Sequence, residues 1–272
     1  MITGADDIVN FCVLTTPRSG STWFLSLLNS HPDIGTFGEA FLNKKPGIWA
    51  DQVFLPADRF CQFRESTRWV RPWSTFRYLD ALMEEFSAQH RALGFKLMYK
   101  HLLRYLELLP LMLSEGYRII HLVRTNYLDV LISERIVQQR GRAHARAEVA
   151  PPPVHLEPST LVRILRGKRR KVKIARLVLR SLSLDVIEVD YESLCEDTPG
   201  VLDTTTGFLS VPLYAGYQSC FRKISRKPDW ERIRNYEQVR RALDLSDFRN
   251  LVDSPESSNA MSRRDRLQTG RA

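Results

Sequence analysis

The chain has 272 residues, 43% of them hydrophobic, and a formal net charge of +9. That is enough for one large globular core, and basic enough to expect an acidic partner: phosphate, sulfate, nucleic acid or an anionic surface. Cys12, Cys61, Cys195 and Cys220 form no C-x-x-C pair, which argues against zinc and a disulfide framework.

Taken in chain order, strand-like and helix-like segments alternate. Asp6 and Asp7 stand where a signal peptide wants basic residues. Ile8–Leu14 predicts a short buried strand, and Ser21–Asn29 a helix stopped by Pro32. Ile34–Phe37 is extended and ends at Gly38. Residues 43–72 read as a linker, and residues 74–92 have a helical period. Gly94–Met98 predicts a strand and His101–Glu115 a helix; Arg104, Glu107 and Pro110 interrupt that greasy run, so it is no membrane span. Tyr117–Val123 predicts a strand, Leu128–Gln139 a helix, and residues 139–158 a loop with three central prolines, long enough to be a candidate lid. Next come a basic helix over Leu161–Leu182, a strand over Asp185–Tyr191 and a helical region over residues 192–207. The expectation is a soluble, cytoplasmic protein.

This alternation predicts a three-layer α/β/α domain with a central, mostly parallel sheet over residues 1–252, and a disordered tail over residues 253–272. Ligands of such sheets bind beyond the carboxyl ends of the strands. The residues there are the Thr15–Trp23 loop, Glu39, Tyr99 to His101, Arg124 and Asp190 to Glu192.

The first loop reads Pro17-Arg18-Ser19-Gly20-Ser21-Thr22-Trp23. Gly20 permits close backbone approach, Ser19, Ser21 and Thr22 carry hydroxyls, and Arg18 carries a fixed charge. The adjoining helix start offers N–H groups without internal partners, so the segment is an oxyanion cradle. It lacks Walker A spacing, and the strand Arg118–Val123 is succeeded by Arg124 where an NTPase would want an acidic residue for Mg²⁺. The expectation is therefore no metal, with protein charge doing the neutralising. Glu39, just past the end of the second strand, is a candidate general base, with His101 as competitor. Lys96 is expected to be buried against the site if it acts there, and His121 to be packed in the core.

The stretches PRSGSTW and HLVRTNYLDVLISER together resemble the sulfotransferase family that uses 3′-phosphoadenosine 5′-phosphosulfate (PAPS), and most nearly its bacterial carbohydrate, nodulation-factor-type branch. The resemblance extends through HPDIGTFGE, GFKL, PPPV, IEVDYESL and RKPDWERIRNYEQVR, covering most of residues 8–240. It implies a P-loop-like fold and in-line sulfuryl transfer to a hydroxyl of a carbohydrate or glycolipid. It implies that Arg18, Ser19, Gly20, Ser21, Thr22 and Trp23 hold the 5′-phosphosulfate, with Arg18 on the bridging oxygen. It further implies that Arg124 and Ser133 hold the 3′-phosphate, that Arg222 and Lys227 close over it, and that Glu39 occupies the place of a catalytic glutamate. Arg124 and Ser133 are spaced one residue wider than in many members, as in the nodulation type.

Between Ser159 and Arg180 lie nine Lys/Arg and no Asp/Glu. Apolar positions from Leu161 to Leu182 give that helix a core face and leave a cationic face outside. The open readings are a solvated helix, a site for an anionic acceptor, or peripheral contact with an anionic membrane. Nucleic acid is disfavoured because no aromatic residues are there for stacking. Two alternatives to a sulfotransferase stay open: a nucleotide kinase or NTPase, and a non-enzymatic module binding membrane or nucleic acid. Oligomeric state is not legible.

Overall fold

The structure is a computed structural model and describes residues 8–41, 60, 63, 70–140, 152–219 and 228–252. Five strands form one sheet: β1 (Val9–Thr15), β2 (Ile34–Glu39), β3 (Ala92–Met98), β4 (Arg118–Val123) and β5 (Val186–Asp190). Their order is β2-β3-β1-β4-β5, and every pairing is parallel. Buried on both faces, the central strands read as continuous apolar runs. On β1, Cys12 and Leu14 point into one core while Phe11 and Val13 point into the other.

Each face is covered by helices. One core takes Tyr78, Leu79, Leu82 and Met83 from α2 (Trp73–Ser87), with Leu108 and Met112 from α4 (Leu108–Ser114). The other takes Phe24, Leu25, Leu27 and Leu28 from α1 (Ser21–Leu28), Leu194 from α7 (Tyr191–Glu196) and Leu202 from α8 (Thr198–Phe208). The result is a three-layer α/β fold.

The predicted single helix over His101–Glu115 is two helices, α3 (Tyr99–Arg104) and α4, broken at residues 105–107. The cause is Pro110. Its ring would clash with the carbonyl four residues earlier in a continuous helix, whereas within the first turn of α4 its missing N–H costs no bond. Tyr105, buried at the break, is covered by the Arg71 guanidinium 5.1 Å from its ring centre. The predicted helical region after β5 is likewise split. Asp197 ends α7 and caps α8 by accepting from the Gly200 N–H at 3.0 Å.

The chain divides into two compact units, residues 1–125 with 174–223, and residues 126–173 with 224–272. The first holds the sheet. The second contains α5 (Tyr127–Arg140), the amino-terminal part of α6 (Pro158–Ser181), α9 (Asp229–Arg232) and α10 (Tyr236–Asp244). It is tied by a parallel bridge between Val154 and Ile233 and by the Asn235 side chain, which donates to the Leu156 carbonyl and accepts from its N–H. Arg232 donates to buried Asp129 at 2.6 Å and lies 3.4 Å from fully buried Asp229. Each buried carboxylate is thus matched by the same cation, as burial demands.

Candidate active site

The loop from β1 into α1 is shaped by two left-handed residues. Gly20 has φ 84°, which glycine adopts without strain, and Arg18 has φ 64°, which costs a non-glycine residue about 1–2 kcal/mol. Thr15 lies at the strand end, its hydroxyl 2.7 Å from both the Leu122 carbonyl and the Ser19 hydroxyl. The Thr15 hydroxyl is the donor in both contacts, and the fully buried Ser19 hydroxyl accepts from it. Ser19 therefore anchors the loop with its side chain.

Gly20 is the N-cap of α1 and supplies no side-chain cap. The first intrahelical bond is donated by the Phe24 N–H to the Gly20 carbonyl, at 3.1 Å. The N–H groups of Ser21, Thr22 and Trp23 precede it and have no place in the helical ladder. Ser21 is nearly buried, and Thr22 and Trp23 are half-buried beside it. Such a helix start has the donors to accommodate an anion.

A side chain on Gly20 would run into the ring of Tyr191, which succeeds β5 at the start of α7. The same ring carries the Arg124 guanidinium 4.5 Å from its centre and meets Trp23 edge-on at 6.1 Å. Arg124 lies directly after β4. Its Nη1 donates to the Arg18 carbonyl at 3.3 Å, and its Nε lies 3.9 Å from Glu192 Oε1. The other oxygen of Glu192 accepts from the N–H and hydroxyl of Thr125, at 3.0 and 3.2 Å. Arg124 is therefore fixed by a stacking face, a carbonyl and a carboxylate, so its charge reaches the loop without rotamer search.

On the other side of β1, Glu39 Oε1 lies 3.3 Å from Lys96 Nζ. Glu39 is the last residue of β2 rather than a residue beyond it, because the pairing slips: Phe37 faces Phe95, yet Glu39, not Gly38, faces Lys96. Without that bulge, Glu39 would share a sheet face with Phe37, in the core; the extra residue turns it to the face of Lys96. Lys96 is buried, and burial pushes its pKa below the ordinary lysine value, with Glu39 opposing and Arg18 adding a smaller depression. His101 on α3 is also buried, and among the described residues its Nδ1 has no hydrogen-bond partner. Burial lowers its pKa, against the pull of Glu39, so it stays neutral. Arg18, Glu39, Lys96 and His101 are thus one electrostatic cluster.

His121 lies in the core, as its place in a strand predicts. Its Nε2 is 2.5 Å from the Tyr99 hydroxyl and its Nδ1 is 3.1 Å from Glu188. Ser133 is on α5, in the second unit, and half-buried. Arg222 and Lys227 lie outside the described residues. Residue chemistry alone does not single out Tyr191; its only sequence signal is a place directly after a strand that ends beside the first loop.

A parallel sheet, an uncapped helix start and an arginine delivered to it from the neighbouring strand make a site with the N–H groups and fixed positive charge that an anion needs. Residues 9–240 match the sulfotransferase domain family, and the chain belongs to it: the protein is a sulfotransferase. It is 25% identical over 237 residues to nodulation protein H of Rhizobium meliloti (strain 1021), covering 85% of this chain and 89% of that protein. Among solved structures it is similar to the sulfotransferase from Alicyclobacillus acidocaldarius, with 18% identity, 80% of this chain and 87% of that one covered, and a TM-score of 0.44. It is also similar to a mouse sulfotransferase complexed with PAP, with 14% identity, 96% and 83% covered, and a TM-score of 0.39. Among the described residues, no helix is long and apolar enough to cross a membrane.

Proposed function

We propose that the protein transfers the sulfuryl group of PAPS to a hydroxyl of a carbohydrate or glycolipid acceptor. The observation that carries this is the hydrogen bond from Arg124 to the Arg18 carbonyl, which joins two anion-handling elements into one cradle. Two cations at one open helix start suit a nucleotide bearing both a 5′-phosphosulfate and a 3′-phosphate. The N–H groups of Ser21, Thr22 and Trp23, with the Ser21 and Thr22 hydroxyls, hold the 5′ group. Arg18 stabilises the charge that grows on the bridging oxygen as the S–O bond breaks. Arg124 holds the 3′-phosphate, joined by Ser133 and, by resemblance alone, by Arg222 and Lys227. Ser19 and Gly20 shape the loop, and the rings of Trp23 and Tyr191 offer an apolar wall for the base.

Glu39 accepts the proton of the acceptor hydroxyl as its oxygen attacks sulfur, and the 5′-phosphate leaves with the electron pair of the broken bond. Lys96 orients the carboxylate. His101 supports a second reading of the base, because a buried neutral imidazole with an unpartnered nitrogen has the protonation state a base needs. The likeness of PRSGSTW and HLVRTNYLDVLISER to the carbohydrate, nodulation-factor-type branch supports a carbohydrate or glycolipid acceptor here. Incubating the enzyme and PAPS with candidate glycans and glycolipids, and tracking products by mass spectrometry, tests the acceptor class. A gain of one sulfuryl group on a sugar hydroxyl is expected; gains confined to phenols or amines would refute it.

A further inference from the structure

Four of the nine cations on the basic helix are engaged within the fold. Arg166 and Arg169 both hold Asp247, Lys168 holds Glu134 at 2.6 Å, and Arg176 holds Glu188 at 2.7 Å. Arg163, Arg170, Lys171, Lys173 and Arg180 are exposed and make no ion pair among the described residues. The buried positions Leu161, Leu165, Val172 and Leu179 mark the inward face. Steps of three and four residues place Arg163, Arg170, Lys171, Ile174, Leu177 and Val178 together on the opposite, outward face. There Ile174 is 48%, Leu177 67% and Val178 39% exposed. Three branched aliphatics in one exposed stripe are not the scattered apolar residues of an ordinary surface.

We propose that this outward face of α6 docks on an anionic lipid bilayer, its cations on headgroup phosphates and Ile174, Leu177 and Val178 in the acyl boundary. The reading needs neither the donor nor the acceptor assigned above. Charge alone would fit a nucleic acid equally well, but aliphatic side chains do not stack on bases, whereas they do enter the interface of a membrane.

The test is co-sedimentation of the full chain with vesicles of phosphatidylcholine, alone or mixed with phosphatidylglycerol. Binding to the mixed vesicles only is expected, weakened by salt. Arg170→Glu with Lys171→Glu should reduce it by about tenfold or more, given the contribution of each basic residue near an anionic surface. Leu177→Asp should also reduce it, while Arg241→Glu, a charge reversal at an exposed position of α10, should leave it within about twofold by the same measure. In the unmodified chain, mixed vesicles should shield Lys171 from an amine reagent, a readout that needs no variant to fold. No binding, equal loss in Arg241→Glu, an unshielded Lys171, or binding unaffected by Leu177→Asp with tighter binding to duplex DNA would each overturn the proposal.

Discussion

Glu39 and Lys96 face each other across a slip in the β2–β3 pairing, with Oε1 and Nζ 3.3 Å apart. The carboxylate is partly open to solvent while the ammonium is enclosed, their side chains 22% and 8% exposed. Lys96 thus has one anion to neutralise it, and Glu39 has one oxygen held and stays partly exposed.

With Glu39 as the base, Glu39→Gln should lower kcat by about a hundredfold or more while leaving donor affinity nearly unchanged. His101→Asn should lower it by less. Steady-state kinetics with titration of the donor product checks both; the opposite ranking assigns the base to His101.

Gly20→Ala forces a side chain against Tyr191 at a left-handed backbone position. A loss of about 1–3 kcal/mol in stability is expected, with weaker donor binding. Combining it with Tyr191→Ala should recover part of the loss, since the clash goes and the backbone strain stays. Chemical denaturation of the three variants measures the difference.

Arg124→Met removes the cation that Tyr191 and Glu192 hold beside the loop. Affinity for adenosine 3′,5′-bisphosphate should fall by about tenfold to a hundredfold, the scale of a lost charge-assisted bond. Affinity for adenosine 5′-phosphate should hardly change. Competition binding with the two nucleotides separates a 3′-phosphate role from a general loss of positive potential.

His101 and His121 both have pKa values lowered by burial from the ordinary 6.5. The unfolded chain therefore binds more protons than the folded one between 6.5 and the lowered values. Their share of stability is present above pH 6.5 and is lost as pH falls through that window. Denaturation midpoints should drop on acidification below 6.5, and His121→Gln should flatten the slope.

Much of this is legible in the chain. Alternating apolar runs and helical periods specify a parallel α/β sheet. Arg18, Gly20 and Arg124 are readable because each lies just past the carboxyl end of a strand, where parallel sheets bind their ligands. Other features depend on packing. The bulge at Gly38 re-aims Glu39 through register with β3, which no local pattern encodes. The Thr15 hydroxyl that meets Ser19 also reaches the Leu122 carbonyl, supplied by a distant strand. Tyr191 matters only because Gly20 and Arg124 meet on its ring. The basic helix reads as uniformly cationic because its partners Glu134, Glu188 and Asp247 lie outside it in sequence.

The central claim is that the cradle at Arg18 and Arg124 holds a doubly phosphorylated adenosine. Calorimetric titration of the full chain with adenosine 3′,5′-bisphosphate tests it most directly. Saturable one-to-one binding is predicted, weakened by Arg18→Ala and again by Arg124→Met. No heat of binding at low salt, or binding indifferent to both substitutions, would contradict it.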